Sequence, residues 1–251
     1  MMNTALRAYV GFDFRLAFRD RVFLLMTLGI PAVMYGFFGL LYGHATYGDQ
    51  AVSYYDEYTP SFIGLVLLNV ALMNVAPVLV IYKEQGLFRR LLVTPLDMSA
   101  IWVSAVGRGF SIFLVGFVEM LVVGWTMFHT LPKAPMLDLL LALAVCAYAL
   151  FSLGFLVGSL VRTANAAFSA GSLLFQPMLL LSGASIPLNQ FPEIVQKIAL
   201  FVPMTHTVNL LRLAWRGELF TQPALVPTLV LLAFGSVCAL IARRTFHWSA
   251  R

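Results

Sequence analysis

The sequence predicts an all-α integral membrane fold with six transmembrane helices. Of its 251 residues, 61% are hydrophobic and 11% are charged, whereas about a quarter of the residues in soluble domains are charged. The apolar residues form long runs, which a soluble fold would have to expose to water. A lipid-facing surface removes this conflict, because the bilayer interior is itself an apolar solvent. No internal repeat or linker is apparent, so we expect residues 1–251 to form one membrane domain.

Six apolar runs are long enough to cross the bilayer, which takes about 20 residues of helix. They lie at approximately 22–42, 60–82, 100–128, 137–160, 166–184 and 224–241. Pro31 and Pro77 fall inside two of these runs, and transmembrane helices tolerate proline when neighbouring groups satisfy the freed carbonyls. The first run follows an arginine-bearing segment and lacks a clear small-residue cleavage site, so we expect no cleavable signal peptide.

Residues 3–21, before the first run, predict an amphipathic helix in the membrane interface. Arg7, Arg15 and Arg19 recur at multiples of four and share one helical face. Apolar side chains populate the opposite region: Leu6, Tyr9, Val10, Phe14, Ala17 and Phe18. This pattern favours a helix lying on the bilayer. A soluble helix that binds a partner is the alternative.

Loop charge predicts that both termini are cytoplasmic in a bacterial-type inner membrane. One side holds most of the basic residues: Arg7, Arg15, Arg19, Arg21, Lys83, Arg89, Arg90, Arg162, Arg243, Arg244 and Arg251. The other side mixes both signs: Lys133, Lys197, Arg212, Arg216, Asp49, Asp56, Glu57, Glu193 and Glu218. Basic residues favour the cytoplasmic side and anionic lipids. Because the net charge of +5 flanks apolar runs, we expect lipid contact and no nucleic-acid binding.

Isolated chemical groups inside the apolar runs give weak signals. Cys146 and Cys238 suit small buried apolar positions, and no metal-ligand spacing exists, so we expect no metal site. Glu119 falls in the third run, where an ionisable group is a functional candidate by default. Proton coupling, pairing with Arg108 and a position near the outer interface are the alternatives for Glu119.

Two stretches outside the apolar runs are unusual. Residues 83–97 form a short, basic, amphipathic loop that ends in a proline turn, and an ordinary basic loop is the alternative reading. Residues 181–212 contain helix-breaking glycine and proline near Gly183 and Pro187. The segment after Pro187 is too short and interrupted to span, which predicts re-entrant or surface helices at the outer mouth. A long loop with an interfacial helix is the alternative.

These two stretches resemble those of type-2 ABC exporter permeases. The pattern E-x-G-x-x-R-R-L-L-x-T-P-L at residues 84–96 is similar to the cytoplasmic loop of that family. The pattern L-S-G-x-x-x-P-x-x-x-x-P at residues 181–192 resembles its outer segment, and Pro203, Met204, Thr205, His206 and Arg212 match the part that follows. His206 is similar to the choice made by drug and lipo-oligosaccharide exporters. The six runs and the N-terminal helix also fit.

The resemblance implies a transport subunit that is not itself an enzyme. Two permease chains, identical or sister chains, would pair above two cytoplasmic ATPase subunits. The loop after the second span would be a coupling helix seated on the ATPase. This sequence has no G-x-x-x-x-G-K-[ST] phosphate loop, so ATP and Mg²⁺ would bind the partner and no cofactor this chain. The cargo would be a drug, a peptide antibiotic or a lipid-linked glycan.

Site residues follow from the same resemblance. The ATPase-coupling residues would be Glu84, Gly86, Arg89, Arg90, Leu91, Thr94 and Pro95. The outer gate would comprise Gly183, Pro187, Pro192, Pro203, His206 and Arg212. As a hypothesis, the second and fifth spans line the dimer seam and the substrate path with Asn69, Asn74, Ser169, Ser172 and Gln176. Hydrogen bonding between helices is an equal alternative for these five.

Two other classes of protein also have about six spans. An intramembrane serine protease could be imagined from Ser172 or Ser182 with His206, but no G-x-S-x-G pattern surrounds either serine. A transporter or channel driven by an ion gradient is the main alternative. Such proteins place ionisable residues at mid-membrane, and only Glu119 meets that criterion.

Overall fold

The described part of the chain is almost entirely helical. The computed structural model describes residues 24–42, 46–47, 52–86, 98–129, 131–186 and 188–245, together with Gly11 and Arg19. The predicted interfacial helix at 3–21 lies outside these residues except for those two positions. The α-helices are α1 (Ile30–Tyr42), α2 (Tyr54–Asn69), α3 (Ala76–Glu84), α4 (Met98–Phe128), α5 (Met136–Leu160), α6 (Ala164–Leu181), α7 (Glu193–Ala199), α8 (Pro203–Arg216) and α9 (Gln222–Thr245).

Three short helices and one small hairpin complete these elements. π-Helices at Leu25–Gly29 and Val70–Val75 precede α1 and join α2 to α3, and a 3₁₀ turn covers Leu188–Gln190. Strands β1 (Thr46–Tyr47) and β2 (Val52–Ser53) pair antiparallel, with Thr46 opposite Ser53. The predicted helical fold class is therefore confirmed for the described residues, and this hairpin after α1 is a small departure from it.

Within the described residues, five helices are long and apolar enough to cross a membrane. They are Tyr55–Glu84, Val106–Phe128, Met136–Leu160, Ala164–Leu181 and Gln222–Thr245, in good agreement with five of the predicted runs. The first predicted run, 22–42, contributes only the shorter apolar helix Thr27–Leu41. α7 and α8 pass the length test only together, and they are bent by 82° at their junction. The described structure thus supports five or six spans, and the particular six-span arrangement stays a prediction.

The second span is the centre of the described bundle. We call α2, the π-helix Val70–Val75 and α3 together the central helix. It packs against α1, α4, α5, α6 and α8. Large apolar side chains along it are fully buried: Ile63, Leu67, Leu68, Leu72 and Leu79. Because other helices surround it, any movement of the central helix has to displace its neighbours.

Two of the spanning prolines follow π-helices. Pro31 is the second residue of α1, directly after Leu25–Gly29, and Pro77 is the second residue of α3, directly after Val70–Val75. Proline lacks an N–H and its ring clashes with the carbonyl four residues earlier. A π-turn widens the helix at that point and relieves the clash. The prolines are therefore accommodated by local adjustment of their own helices.

Glycines on α5 allow backbone-to-backbone contact with the central helix. A Cβ on Gly154 would overlap the carbonyl oxygen of Ala71, and a Cβ on Gly158 would lie 2.9 Å from that of Ala76. The spacing of four residues places both glycines on one face of α5. Such small-xxx-small pairs let membrane helices approach closely. The contact holds α5 firmly against the region of the π-helix.

The outward faces of the helices are strongly apolar. Large exposed side chains occur on most of the helices, among them Val33, Leu41, Val118, Leu137, Leu173, Leu225 and Val237. On a soluble protein such a surface would be an aggregation hazard. In a bilayer it is the surface that the lipid chains contact.

Candidate functional site

The inner end of the central helix carries the first predicted site. Lys83 Nζ donates to the carbonyl oxygen of Gly158 at 2.8 Å, and Glu84 Oε1 accepts from the backbone N–H of Ala164 at 3.3 Å. Gly86 ends the helix with φ at +64°, in the left-handed region that favours glycine. We call this end of the bundle the inner end, following the predicted orientation. The other predicted coupling residues, Arg89, Arg90, Leu91, Thr94 and Pro95, lie outside the described residues.

A buried polar group joins the central helix to α4. Arg108 is buried, and it donates to Tyr82 Oη at 3.3 Å and to Asn74 Oδ1 at 3.4 Å. Its guanidinium also lies 5.8 Å from the centre of the Tyr82 ring. Asn74, one of the predicted substrate-path residues, is therefore engaged between helices. Asn69, in the same helix, is partly exposed.

Three predicted substrate-path residues share an open face of α6. Ser169, Ser172 and Gln176 are all exposed, as is Asn165 one turn earlier. The spacings of four, three and four residues align them along one side of the helix. The hydroxyl of Ser172 lies 4.0 Å from the sulfur of Met73. The structure thus keeps these three side chains together and separates them from the buried Asn74.

The predicted outer gate is a broken helical segment between α6 and α8. α6 ends at Leu181, and Gly183 then turns the chain with φ at +74°. Pro192 precedes α7, and Pro203 is the first residue of α8. Pro187 lies outside the described residues. Gly183 thus follows the end of α6, and the two prolines stand at the starts of α7 and α8, in the stretch where a break was predicted.

His206 lies inside the bend between α7 and α8. Its ring is buried, and Nε2 lies 2.8 Å from the carbonyl oxygen of Leu200, which requires that this nitrogen donate. The preceding residue, Thr205, donates its hydroxyl hydrogen to the carbonyl oxygen of Leu181 at 3.1 Å. Ser182 donates its hydroxyl hydrogen to the Leu179 carbonyl. His206 and Ser182 thus satisfy backbone groups, a geometry that does not favour a protease dyad.

Arg212 connects three segments at the outer end. Its Nε donates to the Glu57 carbonyl and to Ser61 Oγ, each at 3.1 Å. Its terminal nitrogens bind the Glu57 carboxylate at 2.9 Å and the Gly183 carbonyl at 2.9 Å. Arg216 forms a second ion pair with the same carboxylate. Arg212 thus ties the start of the central helix to α8 and to the turn after α6.

A second acidic residue extends this network. Asp56 is buried, accepts from Trp215 Nε1 at 3.4 Å and pairs with Lys133 Nζ at 2.6 Å. Asp56 and Glu57 lie in the first turn of α2, where the helix dipole favours negative charge. We call Asp56, Glu57, Lys133, Arg212 and Arg216 the outer charge cluster. The loop-charge pattern predicts all five on the same side of the membrane, and only Arg212 among them was also a predicted site residue.

Glu119 occupies a different part of α4. It is partly buried, and Oε2 has no hydrogen-bond partner among the described residues. Eleven positions on one α-helix separate it from Arg108 by about 16 Å, so pairing between the two is wrong. Arg108 is engaged with Tyr82 and Asn74 instead.

The sequence is similar to one family of membrane transporters and to several named relatives. The sequence profile described as "ABC-2 type transporter" matches residues 4–215. "Nodulation protein J" of Rhizobium leguminosarum bv. viciae is 36% identical over 76 residues, 30% of this chain and 29% of that protein. "Nodulation protein J" of Sinorhizobium fredii is 33% identical over 99 residues, 39% of this chain and 37% of that protein. "Inner membrane transport permease YhhJ" of Escherichia coli is 26% identical over 184 residues, 71% of this chain and 48% of that protein. The matches thus span less than half the length of each relative.

Proposed function

The chain belongs to the ABC-2 type transporter family, and on this premise we propose that it is the permease subunit of an ATP-driven exporter. Membership makes it a membrane transport subunit that is not itself catalytic, in an assembly with a nucleotide-binding partner. The proposal adds a direction, out of the cytoplasm, and a cargo of hydrophobic or amphipathic molecules. It also adds two copies of a separate ATPase and a second permease chain.

The observation that carries the proposal is the position of the E-x-G motif. Glu84 is the last residue of the central helix and Gly86 lies just after it, so this helix ends at the inner end of the bundle, directly before the basic segment 87–97 in the sequence. A force applied to Arg89–Pro95 by a closing ATPase would act directly on the most enclosed helix. Arg89 and Arg90 can meet acidic groups of a partner or lipid phosphates. The coupling residues are therefore suited to a mechanical contact.

The open face of α6 supports pairing with a second permease copy. Hydroxyl and amide groups that face hydrocarbon lose hydrogen bonds with water, so such faces turn toward protein or a water-filled path. Asn165, Ser169, Ser172 and Gln176 present such groups among apolar side chains. A second copy facing this surface would enclose a path lined by both polar and apolar groups. Such a lining suits an amphipathic cargo.

The outer charge cluster supports the role of a gate at the far end. Opening the outer mouth would move α7 and α8 away from the central helix. That movement would break the pairs of Arg212 and Arg216 with Glu57. In this proposal, the partly buried ion pairs keep the outer mouth closed until the ATPase exerts force on the inner end. Lipid contact and inner-membrane location complete the proposal.

Reconstitution with a candidate ATPase tests this function. The chain is co-expressed with a phosphate-loop ATPase encoded beside it, purified as a complex and placed in proteoliposomes. We expect co-purification and ATP-dependent movement of labelled amphipathic drugs, peptides or lipid-linked glycans. An ATPase variant that binds but cannot hydrolyse ATP is the control. Movement that follows a proton or sodium gradient without ATP would favour the ion-driven alternative, and failure of any ATPase to associate would refute the proposal.

A further inference from the structure

Two helix ends meet at the inner end, beside the end of the central helix. α5 ends at Leu160 and α6 begins at Ala164. The last four carbonyls of a helix and its first four N–H groups have no partner within the helix. They also carry the negative and positive ends of the helix dipole. The turn at 161–163 therefore places opposite partial charges next to each other.

Consecutive side chains of the central helix meet these ends with matching sign. The ammonium of Lys83 binds the Gly158 carbonyl, near the negative end of α5, at 2.8 Å. The carboxylate of Glu84 binds the N–H of Ala164, at the positive end of α6, at 3.3 Å. Successive residues on a helix point about 100° apart, which lets one turn of the central helix contact both ends.

The same three helices also approach one another closely at their backbones. A Cβ on Gly171 of α6 would lie 2.8 Å from the carbonyl oxygen of Leu72, and one on Gly158 of α5 would lie 2.9 Å from that of Ala76. Both carbonyls belong to the central helix, at or beside its π-helix. α5 and α6 thus contact the central helix both through these hydrogen bonds and through direct backbone approach. No long, flexible side chain lies between the backbones at the glycine contacts.

We infer that Lys83 and Glu84 are positioning residues that transmit movement of the inner end of the central helix to α6. The inference rests on the proposed function for the source of that movement. Their opposite charges hold the two helix ends so that displacement of the central helix moves the open face of α6 with it. Glu84, although its side chain is exposed, is thereby assigned to the junction of helix ends and not to direct contact with the ATPase.

The first test uses the permease without any ATPase. Spin labels are placed at the exposed positions Gln85→Cys and Asn165→Cys, in a chain with Cys146→Ala and Cys238→Ala, and their distance is measured in lipid nanodiscs. We expect a narrow distribution that broadens in the charge-exchanged chain Lys83→Glu/Glu84→Lys. The exchanged chain has the same net charge as the parent. A broader distance distribution therefore reports that the side-chain charges no longer oppose the partial charges of the helix ends. An unchanged distribution would overturn the inference.

The second test measures coupling in the full complex. We expect Glu84→Gln and the charge-exchanged chain to keep the ATPase bound, and the exchanged chain to lower cargo moved per ATP by about tenfold, the ratio that two favourable helix-end interactions support. Arg162→Gln, in the same turn, is the matched control and should leave both readouts unchanged. Loss of ATPase binding in Glu84→Gln with an intact label distance would overturn the inference. If even the parent chain binds no ATPase, the proposed function fails, while the label distance still decides the role of the two residues.

Discussion

Neutralising Glu57 is the most direct perturbation of the outer end. One carboxylate of Glu57 pairs with both Arg212 and Arg216, and these three side chains are 15–30% exposed. Glu57→Gln keeps the shape and a hydrogen-bonding oxygen but removes the charge. Two guanidinium groups then lie close together without their shared counter-ion. We expect the contact between the central helix and α8 to weaken while the fold survives.

The expected size of this effect follows from the burial of the pair. Fully exposed ion pairs contribute up to about 1 kcal/mol, whereas breaking a buried pair costs about 3–5 kcal/mol. Glu57 at 21% exposure lies between these limits, so we expect a loss of about 2 kcal/mol relative to the parent. That free energy corresponds to a roughly 30-fold shift in the equilibrium between closed and open outer ends.

Labelling of a buried cysteine at the outer end measures this shift. Ala184 is fully buried beside the Gly183 turn, so Ala184→Cys in a chain lacking Cys146 and Cys238 should react slowly with a membrane-impermeant maleimide. Glu57→Gln should raise the labelling rate by about 30-fold if reaction requires the open state. The thermal midpoint of each variant in detergent is recorded alongside, because global unfolding would also expose the cysteine.

Glu218→Gln provides the matched control. It is the same chemical change at the same end of the bundle, on an exposed side chain outside the outer charge cluster. Its labelling rate should equal that of the parent. Equal rates for Glu57→Gln and Glu218→Gln would refute the view that the ion pairs hold the outer end closed. A double-mutant cycle with Arg212→Gln then tests whether the two side chains act through each other.

Three further predictions address the bundle, the path and the inner loop. Gly154→Ala should lower thermal stability by about 1–3 kcal/mol because its new methyl overlaps a carbonyl, whereas Gly36→Ala, which meets only a flexible side chain at 3.5 Å, should be neutral or stabilising in the same melting assay. Asn74→Ala should lower stability by about 1–2 kcal/mol and leave cargo preference unchanged. Gln176→Ala should instead alter cargo preference without changing the melting temperature. The opposite pattern would reverse the roles assigned to the two residues. Arg89→Glu should reduce transport per ATP with membrane insertion intact, and full export by this variant would contradict the proposed ATPase contact.

The positions of the spans could be predicted from the sequence because a long apolar run can adopt few structures in a membrane. The run predicted at 137–160 is observed as Met136–Leu160. In lipid, no water is available to the backbone N–H and C=O groups, and an α-helix pairs them within the same segment. The break at Gly183 was readable for a related reason, because glycine there takes a positive φ. Breaks and spans depend on local chemistry, which a sequence displays directly.

The partners of polar side chains were not readable in the same way. Arg108 and Glu119 share one helix, but Arg108 donates its hydrogen bonds to Tyr82 and Asn74 on the central helix. Hydrogen bonds between helices depend on rotation and depth, and apolar periodicity says little about these in membranes, where both lipid and core are apolar. The sequence pattern selected Arg212 as a site residue, but the carboxylate of Glu57 that it shares with Arg216 could be found only in three dimensions.

The polar contacts at the two ends of the central helix differ in strength, and this difference predicts which end moves more easily. At the inner end, single hydrogen bonds to backbone groups join the helices: Lys83 Nζ donates to the Gly158 carbonyl at 2.8 Å, and the Ala164 N–H donates to the exposed Glu84 at 3.3 Å. At the outer end one partly buried carboxylate pairs with two guanidinium groups, and charge-assisted contacts of this kind are stronger. In the absence of work the outer end should therefore remain closed while the inner end adjusts. An exporter that loads from the cytoplasm needs this asymmetry, and weakening the outer end alone should raise outer accessibility without any nucleotide.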